Sequence, residues 1–500
     1  MIQGVLSLKN FYVFAVAITV AATAVVYGVN WWAALSTPFS LNYEAPMLWA
    51  SVRLSLCQNI YPISALSAQP WTAILYPPLF MLLGALFVKA LGVSYLGLRL
   101  VNMGSAILAA VMLFRLLRLY DCSKSVAFAA TAFFLNFIVV ATLSFEARPD
   151  LLAVALGAWM MEHFLCALKK KPANSLLLSD LKGVLALSVL SCLAKQQSIV
   201  FVLAIVCFLF SGGARATAAK FLAAWISIIA VIFAGIQLWS GGFLANLTLL
   251  TSVHPKSKVL ADNFRALATD WFKVFLGLII APLGILAHKG VGGRDCLPLI
   301  LLAISFALLL YTMAIPASNM NHLIPAMFGL SWWIALSLRY MPGWVMALVA
   351  CVCAGNMWFL SEFGRLEPLL LPYARQSAAV LQKMDLKEKL VLTDDPFINF
   401  LTGSNPAMVD CATFLNLWKD TRPDMAELIG NIERRQYAAI MINSDDSEKG
   451  GGQIWWPPPV VQAIKKNYAR KEELHCSGWF LDLYLPDGQP KVQADPLPLR

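Results

Sequence analysis

Residues Cys296–Leu338 read CLPLILLAISFALLLYTMAIPASNMNHLIPAMFGLSWWIALSL, 43 positions without one Asp, Glu, Lys or Arg. A helix crossing about 30 Å of hydrocarbon needs roughly 20 residues, so this run holds two of them. They divide near Ile315-Pro316-Ala317-Ser318-Asn319, where proline removes a backbone donor and polar residues follow. Outward from this run, charge-free stretches cover 125–145, 196–214, 221–253 and 340–361. About eleven spans fit between residues 11 and 360. The whole chain agrees: of 500 residues, 59% are hydrophobic and only 13% charged. A soluble chain this apolar could not clothe its surface. The expected fold is an all-α polytopic membrane protein of about eleven transmembrane helices, with a small C-terminal extracytoplasmic α/β domain.

The charges set an orientation. Residues 1–360 carry 22 Lys and Arg against 9 Asp and Glu, whereas 361–500 carry 16 against 19. The net of +10 therefore lies between hydrophobic runs, which suits membrane topology and not a nucleic-acid partner. With the N-terminus in the cytosol, Lys9, Arg115, Arg118, Lys124, Lys169 to Lys171, Lys182, Arg215, Lys220, Lys289, Arg294 and Arg339 all fall on the cytosolic side. This holds if 77–92, starting Pro77-Pro78, is juxtamembrane or re-entrant and does not span. Residues 1–360 then form the membrane domain, with outer loops at 33–96, 145–150 and 240–270, and residues 361–500 an extracytoplasmic domain. Strands are expected at 390–393, 438–442 and 479–483, and helices near 423–436 and 459–471. The ten cysteines show no metal-ligand spacing, and most read as small apolar residues; Cys411 and Cys476 could pair outside the cytosol.

Ionisable groups at a membrane edge are costly, at roughly 2.5–3.5 kcal/mol at mid-bilayer, and so point to function. Glu44 is the acidic residue of the first outer loop, which also holds Tyr61-Pro62 and Tyr76-Pro77-Pro78. Glu44 can be a solvated or capping charge, or a general base at a membrane-edge cavity. In Phe145-Glu146-Ala147-Arg148-Pro149-Asp150, Asp150 can cap the next helix, or Arg148 and Asp150 can address one polar substrate. Lys195-Gln196-Gln197 separates two short apolar runs, where a lysine can snorkel or meet a lipid phosphate. His254, Lys256 and Lys258 make a basic outer cluster suited to an anion; Asn321 and His322 can cap a helix or recognise hydroxyls.

These short motifs together resemble the GT-C superfamily of membrane glycosyltransferases. The similarity is greatest to the bacterial branch related to lipid A aminoarabinose transferase and the protein O-mannosyltransferases. It rests on Glu44 and the segment after it, Ile60-Tyr61-Pro62, Tyr76-Pro77-Pro78, Arg99 in the second span, Ala147-Arg148-Pro149-Asp150, Lys195-Gln196 and Ser318-Asn319-Met320-Asn321-His322. The resemblance implies an enzyme of the bacterial inner membrane. It would move a sugar from a polyprenyl-phosphate donor to a glycan, lipid or protein acceptor, with inversion. It implies Glu44 as general base, where many members have Asp, Asp150 as the second-loop acid and Lys195 as a contact to the lipid phosphate. No D-x-D stands in the second loop, so a divalent metal is not expected. A transporter or flippase for lipid-linked glycans, or a polymerase or ligase, is the competing reading. A transporter would favour mid-helix charges and repeated halves, and no repeat is visible.

Overall fold

The computed structural model describes residues 8–39, 44–249, 293–312, 320–339, 374–409, 425–443, 456–476 and 479–486, with isolated positions between. His254, Lys256, Lys258, the span expected at 271–288 and most of that at 343–360 lie outside the described residues.

The chain is mostly helical, with one small C-terminal sheet. Its helices are α1 (Leu8–Ser36), α2 (Ala45–Ser55), α3 (Leu79–Leu91), α4 (Leu96–Leu119), α5 (Lys124–Leu135), α6 (Ile138–Leu143), α7 (Asp150–Lys170), α8 (Lys182–Ala194), α9 (Ile199–Ser211), α10 (Arg215–Ser240), α11 (Phe243–Thr248), α12 (Leu297–Thr312) and α13 (Ile324–Leu338). Among the described residues, four helices are long and apolar enough to cross a membrane: Val13–Ser36 within α1, then α4, α7 and α10. Of the most apolar stretch of α7, 72% is buried by neighbouring helices, against 17% for α10. α7 is therefore the centre of the bundle, packed on α4 and α8. α10 turns Ile226, Val231 and Leu238 outward, as a lipid-facing helix does.

One expected span is broken. The one over 125–144 is interrupted between α5 and α6, where Asn136 donates to Thr23 Oγ1 at 3.0 Å and Ala132 O at 2.7 Å. The run after Pro77-Pro78 is α3, 13 residues or about 20 Å long, too short to cross.

The sheet has strands β1 (Leu390–Thr393), β2 (Asn405–Pro406), β3 (Ala439–Asn443), β4 (Tyr468–Cys476) and β5 (Trp479–Pro486), in the order β2-β1-β3-β5-β4. β1 pairs parallel with β2 and β3; β5 is antiparallel to β3 and β4. Short helices α14 (Phe397–Thr402), α15 (Ala426–Glu433) and α16 (Pro458–Asn467) complete the unit. The helix expected to reach 471 ends at Asn467, and β4 begins at Tyr468. Cys411 is buried and its thiol donates to Thr393 O at 3.3 Å; the Cys476 side chain, the other half of the expected pair, lies outside the described residues. Asn246, the asparagine of a glycosylation-like Asn-Leu-Thr triplet, is buried; it holds Ile74 N at 2.9 Å and Gly242 O at 2.9 Å.

Candidate functional site

The site is assembled where helices start and stop. α8 ends at Ala194 because the next residues are Lys195-Gln196-Gln197-Ser198, which lipid would not tolerate. Lys195 adopts an extended backbone (φ −156°, ψ 127°), a single tight turn covers Gln196–Ser198, and α9 resumes at Ile199. Gly157 of α7 lets α9 close in, since a Cβ there would lie 2.6 Å from the Phe201 ring. The break thus turns Lys195 inward, against the start of α7.

There Lys195 Nζ donates to Asp150 Oδ1. Both residues are enclosed, at 4% and 2% exposure. Arg148 Nε lies 3.5 Å from Asp150 Oδ2, and its Nη1 lies 3.9 Å from Glu146 Oε2. Burial opposes the Arg148 charge, but Asp150, Tyr76 and Glu146 outweigh it and hold the guanidinium protonated. Lys195 Nζ sits 5.5 Å from the centre of the Tyr76 ring, and Tyr76 also hydrogen-bonds Arg148. Tyr61 stands behind, donating to the Tyr76 carbonyl at 2.8 Å. Gln196 Nε2 donates to Leu75 O at 3.0 Å, and Gln197 Nε2 lies 3.5 Å from His322 Nε2. His322 belongs to the short turn before α13. Burial, then Lys195, push its imidazole down to about 3; Asp150 acts oppositely and Arg148 adds to the push. It is neutral near pH 7.

This cluster has unused hydrogen-bonding capacity. Asp150 Oδ2, Gln196 Oε1, Ser198 Oγ, Asn321 Oδ1 and His322 Nδ1 are enclosed and have no hydrogen-bond partner among the described residues. Buried polar atoms are satisfied in about 90% of cases or more. Several unsatisfied atoms around one ion pair fit a place for a polar ligand.

Glu44 has a different situation from the general base expected of it. It is fully buried, and Arg99 holds it from both sides: Nε to Oε1 at 3.0 Å and Nη2 to Oε2 at 2.5 Å. Oε1 also accepts the Ala147 amide at 2.5 Å. Arg99 spends its remaining donors on the carbonyls of Ala34, Thr37 and Phe39. Both oxygens of this carboxylate are thus engaged, and it is shut from solvent. It can fix the 146–150 segment, and Asn102 adds bonds to the carbonyls of Leu143 at 2.6 Å and Glu146 at 2.5 Å. Glu44 and Asp150 thus share one segment but not one set of partners.

The expected site residues Arg148, Asp150, Lys195, Gln196, Tyr76 and His322 come together, Tyr61 and Asn321 sit beside them, and Glu44 is set apart. From the sequence Arg99 entered only as part of the resemblance, without a partner, and Asn102 not at all. The available signal was an arginine early in an apolar span, which calls for a carboxylate partner. Among the described residues, no group of three or more His, Cys, Asp or Glu side chains could hold a metal ion.

Fold and site together define a polytopic helical membrane protein with a buried lysine–carboxylate centre at the end of the bundle that carries the sheet. The fold expected from the resemblance is the fold found. No family model matches the chain, and no curated protein matches its sequence. Solved structures do. ArnT from Cupriavidus metallidurans in the apo state aligns with a TM-score of 0.60 at 12% identity, over 94% of this chain and 97% of that one. The same protein bound to undecaprenyl phosphate aligns at 0.58, with 12% identity, over 96% and 99%. The archaeal oligosaccharyltransferase AglB from Archaeoglobus fulgidus, in complex with an inhibitory peptide and a dolichol-phosphate, aligns at 0.53, with 11% identity, over 96% and 76%.

Proposed function

We propose that this chain is a glycosyltransferase that takes a sugar from a polyprenyl-phosphate donor, with Lys195 meeting the donor phosphate and Asp150 serving the acceptor. The observation that carries this is the enclosed Lys195–Asp150 pair amid unsatisfied polar atoms, in a fold shared with proteins solved with undecaprenyl phosphate and dolichol-phosphate. Eleven spans, a cytosolic N-terminus, an extracytoplasmic tail and a bacterial inner membrane complete the proposal; the basic residues between spans support the orientation.

In the resting site Lys195 is neutralised by Asp150. A donor phosphate competes for the ammonium, and Arg148 adds a second cation. Release from Lys195 leaves Asp150 able to accept a proton. The acceptor hydroxyl or amine then attacks the anomeric carbon as the sugar–phosphate bond breaks. Its proton passes to Asp150, and the electron pair leaves with the polyprenyl phosphate, whose growing charge Lys195 and Arg148 offset. Attack opposite the leaving group inverts the anomeric centre. Gln196, Asn321 and neutral His322 supply acceptors and donors for sugar hydroxyls, and Tyr76, braced by Tyr61, walls the phosphate. His254, Lys256 and Lys258 are assigned to the same anion. Glu44 is a positioning residue that holds the catalytic segment through Ala147.

The test is purified protein incubated with a panel of polyprenyl-phosphate sugars and envelope glycans, lipids or peptides. Released polyprenyl phosphate with one donor is the expected result. No release from any donor, with lipid-linked sugar instead crossing the bilayer of proteoliposomes, would establish a transporter and overturn the proposal.

A further inference from the structure

The first loop contains a segment that belongs to two cores at once. Residues 71–76, Trp-Thr-Ala-Ile-Leu-Tyr, run without helix or named strand between the sheet unit and the membrane bundle. Trp71 is fully buried within the C-terminal core, joined there by Ala73 and, partly buried, Leu75. Ile74 and Tyr76 instead pack into the core of the bundle. One stretch thus supplies both cores alternately.

Both ends of the segment are fastened. At Trp71 the backbone joins the β2 edge of the sheet: Trp71 N donates to Ala407 O at 3.1 Å, and Val409 N donates to Trp71 O at 2.9 Å. Gln69 Nε2 adds a bond to the Tyr437 hydroxyl at 2.8 Å. At the other end the Leu75 carbonyl holds Gln196, and Tyr76 faces Lys195 and Arg148. A second link runs nearby. Tyr95 donates to Asp395 Oδ1, just after β1, at 3.0 Å, and its ring lies 5.0 Å from the Arg99 guanidinium that holds Glu44.

We propose that Trp71 is a positioning residue for the phosphate-binding side chains: seated in the C-terminal core, it fixes segment 71–76 and thereby Tyr76 and Gln196. The C-terminal domain is then a working part of the site and not a detachable appendage. The functional consequence rests on the donor-site reading of Lys195.

The experiment uses the full chain in detergent, with undecaprenyl phosphate as the probe. Trp71→Leu is compared with Trp71→Phe, and hydrogen–deuterium exchange is read alongside affinity. Trp71→Leu should weaken undecaprenyl phosphate binding about tenfold. Exchange should rise across 72–76 and 195–198 while α4 and α7 stay protected, and Trp71→Phe should restore most of both. Unchanged affinity and protection in Trp71→Leu would overturn the proposal, as would a loss of protection spread evenly over the chain. If the unaltered protein does not bind undecaprenyl phosphate, the donor reading fails. The exchange pattern still decides whether Trp71 governs 195–198.

Discussion

Two buried ion pairs stand three residues apart along the 147–150 segment, and they are built differently. In Glu44–Arg99 the guanidinium reaches both carboxylate oxygens and three backbone carbonyls, and the Ala147 amide completes the set. In Asp150–Lys195 one carboxylate oxygen has no hydrogen bond, and neighbouring Gln196, Ser198, Asn321 and His322 each keep an unused polar atom. On the proposed function, the saturated pair serves as architecture. An unsaturated pair in an enclosed place is poised to change partners. On the proposed function, burial alone does not mark the working carboxylate; its unused hydrogen-bonding capacity does.

The comparison can be broken most forcefully at Arg99. Arg99→Met would leave Glu44 buried without its cation, which costs about 3–5 kcal/mol where such a pair is severed. The expected outcome is loss of the assembled protein, seen as a large fall in thermal unfolding temperature or in monodisperse yield. Wild-type unfolding in Arg99→Met would show that the pair is not architectural.

Much of the fold was legible and part of the site was. Spans such as 97–119, 151–168 and 217–239 announce themselves because lipid excludes charge, and α4, α7 and α10 follow them closely. Asp150 and Lys195 were legible for the converse reason: each is an ionisable group beside an apolar run. The partner of Glu44 was not, because Arg99 lies 55 residues away and spacing along the chain says nothing of such a contact. Segment 71–76 was hidden by its own burial. With both faces in a core it shows no polar alternation, and period-2 patterning is what marks a strand. β4 was missed for the opposite cause. It is an edge strand carrying Arg470, Lys471, Glu472 and Glu473, charges that keep an edge from pairing further and that also suit a helix surface.

A smaller effect sharpens the comparison from the working side. His322 titrates near 3, with Lys195 among the causes. A folded-state value below the ordinary histidine value of about 6.5 means that the neutral imidazole favours the folded state above that pH. This contribution is lost progressively as pH falls from there toward 3. Lys195→Met removes one cation from its surroundings, so the His322 titration should move upward in histidine-labelled NMR spectra. No movement would place Lys195 and His322 in separate environments.

Asp150 as the working carboxylate and Glu44 as its support are told apart most directly by one paired measurement. Release of polyprenyl phosphate is followed for Asp150→Asn and Glu44→Gln, each as folded protein matched for thermal unfolding temperature and undecaprenyl phosphate binding. Asp150→Asn should lose turnover by about 10²–10⁴-fold, the worth of a general base, while still binding the lipid phosphate. Glu44→Gln should keep turnover in whatever fraction assembles. The reverse result, a folded Glu44→Gln without turnover beside an active Asp150→Asn, would contradict that assignment.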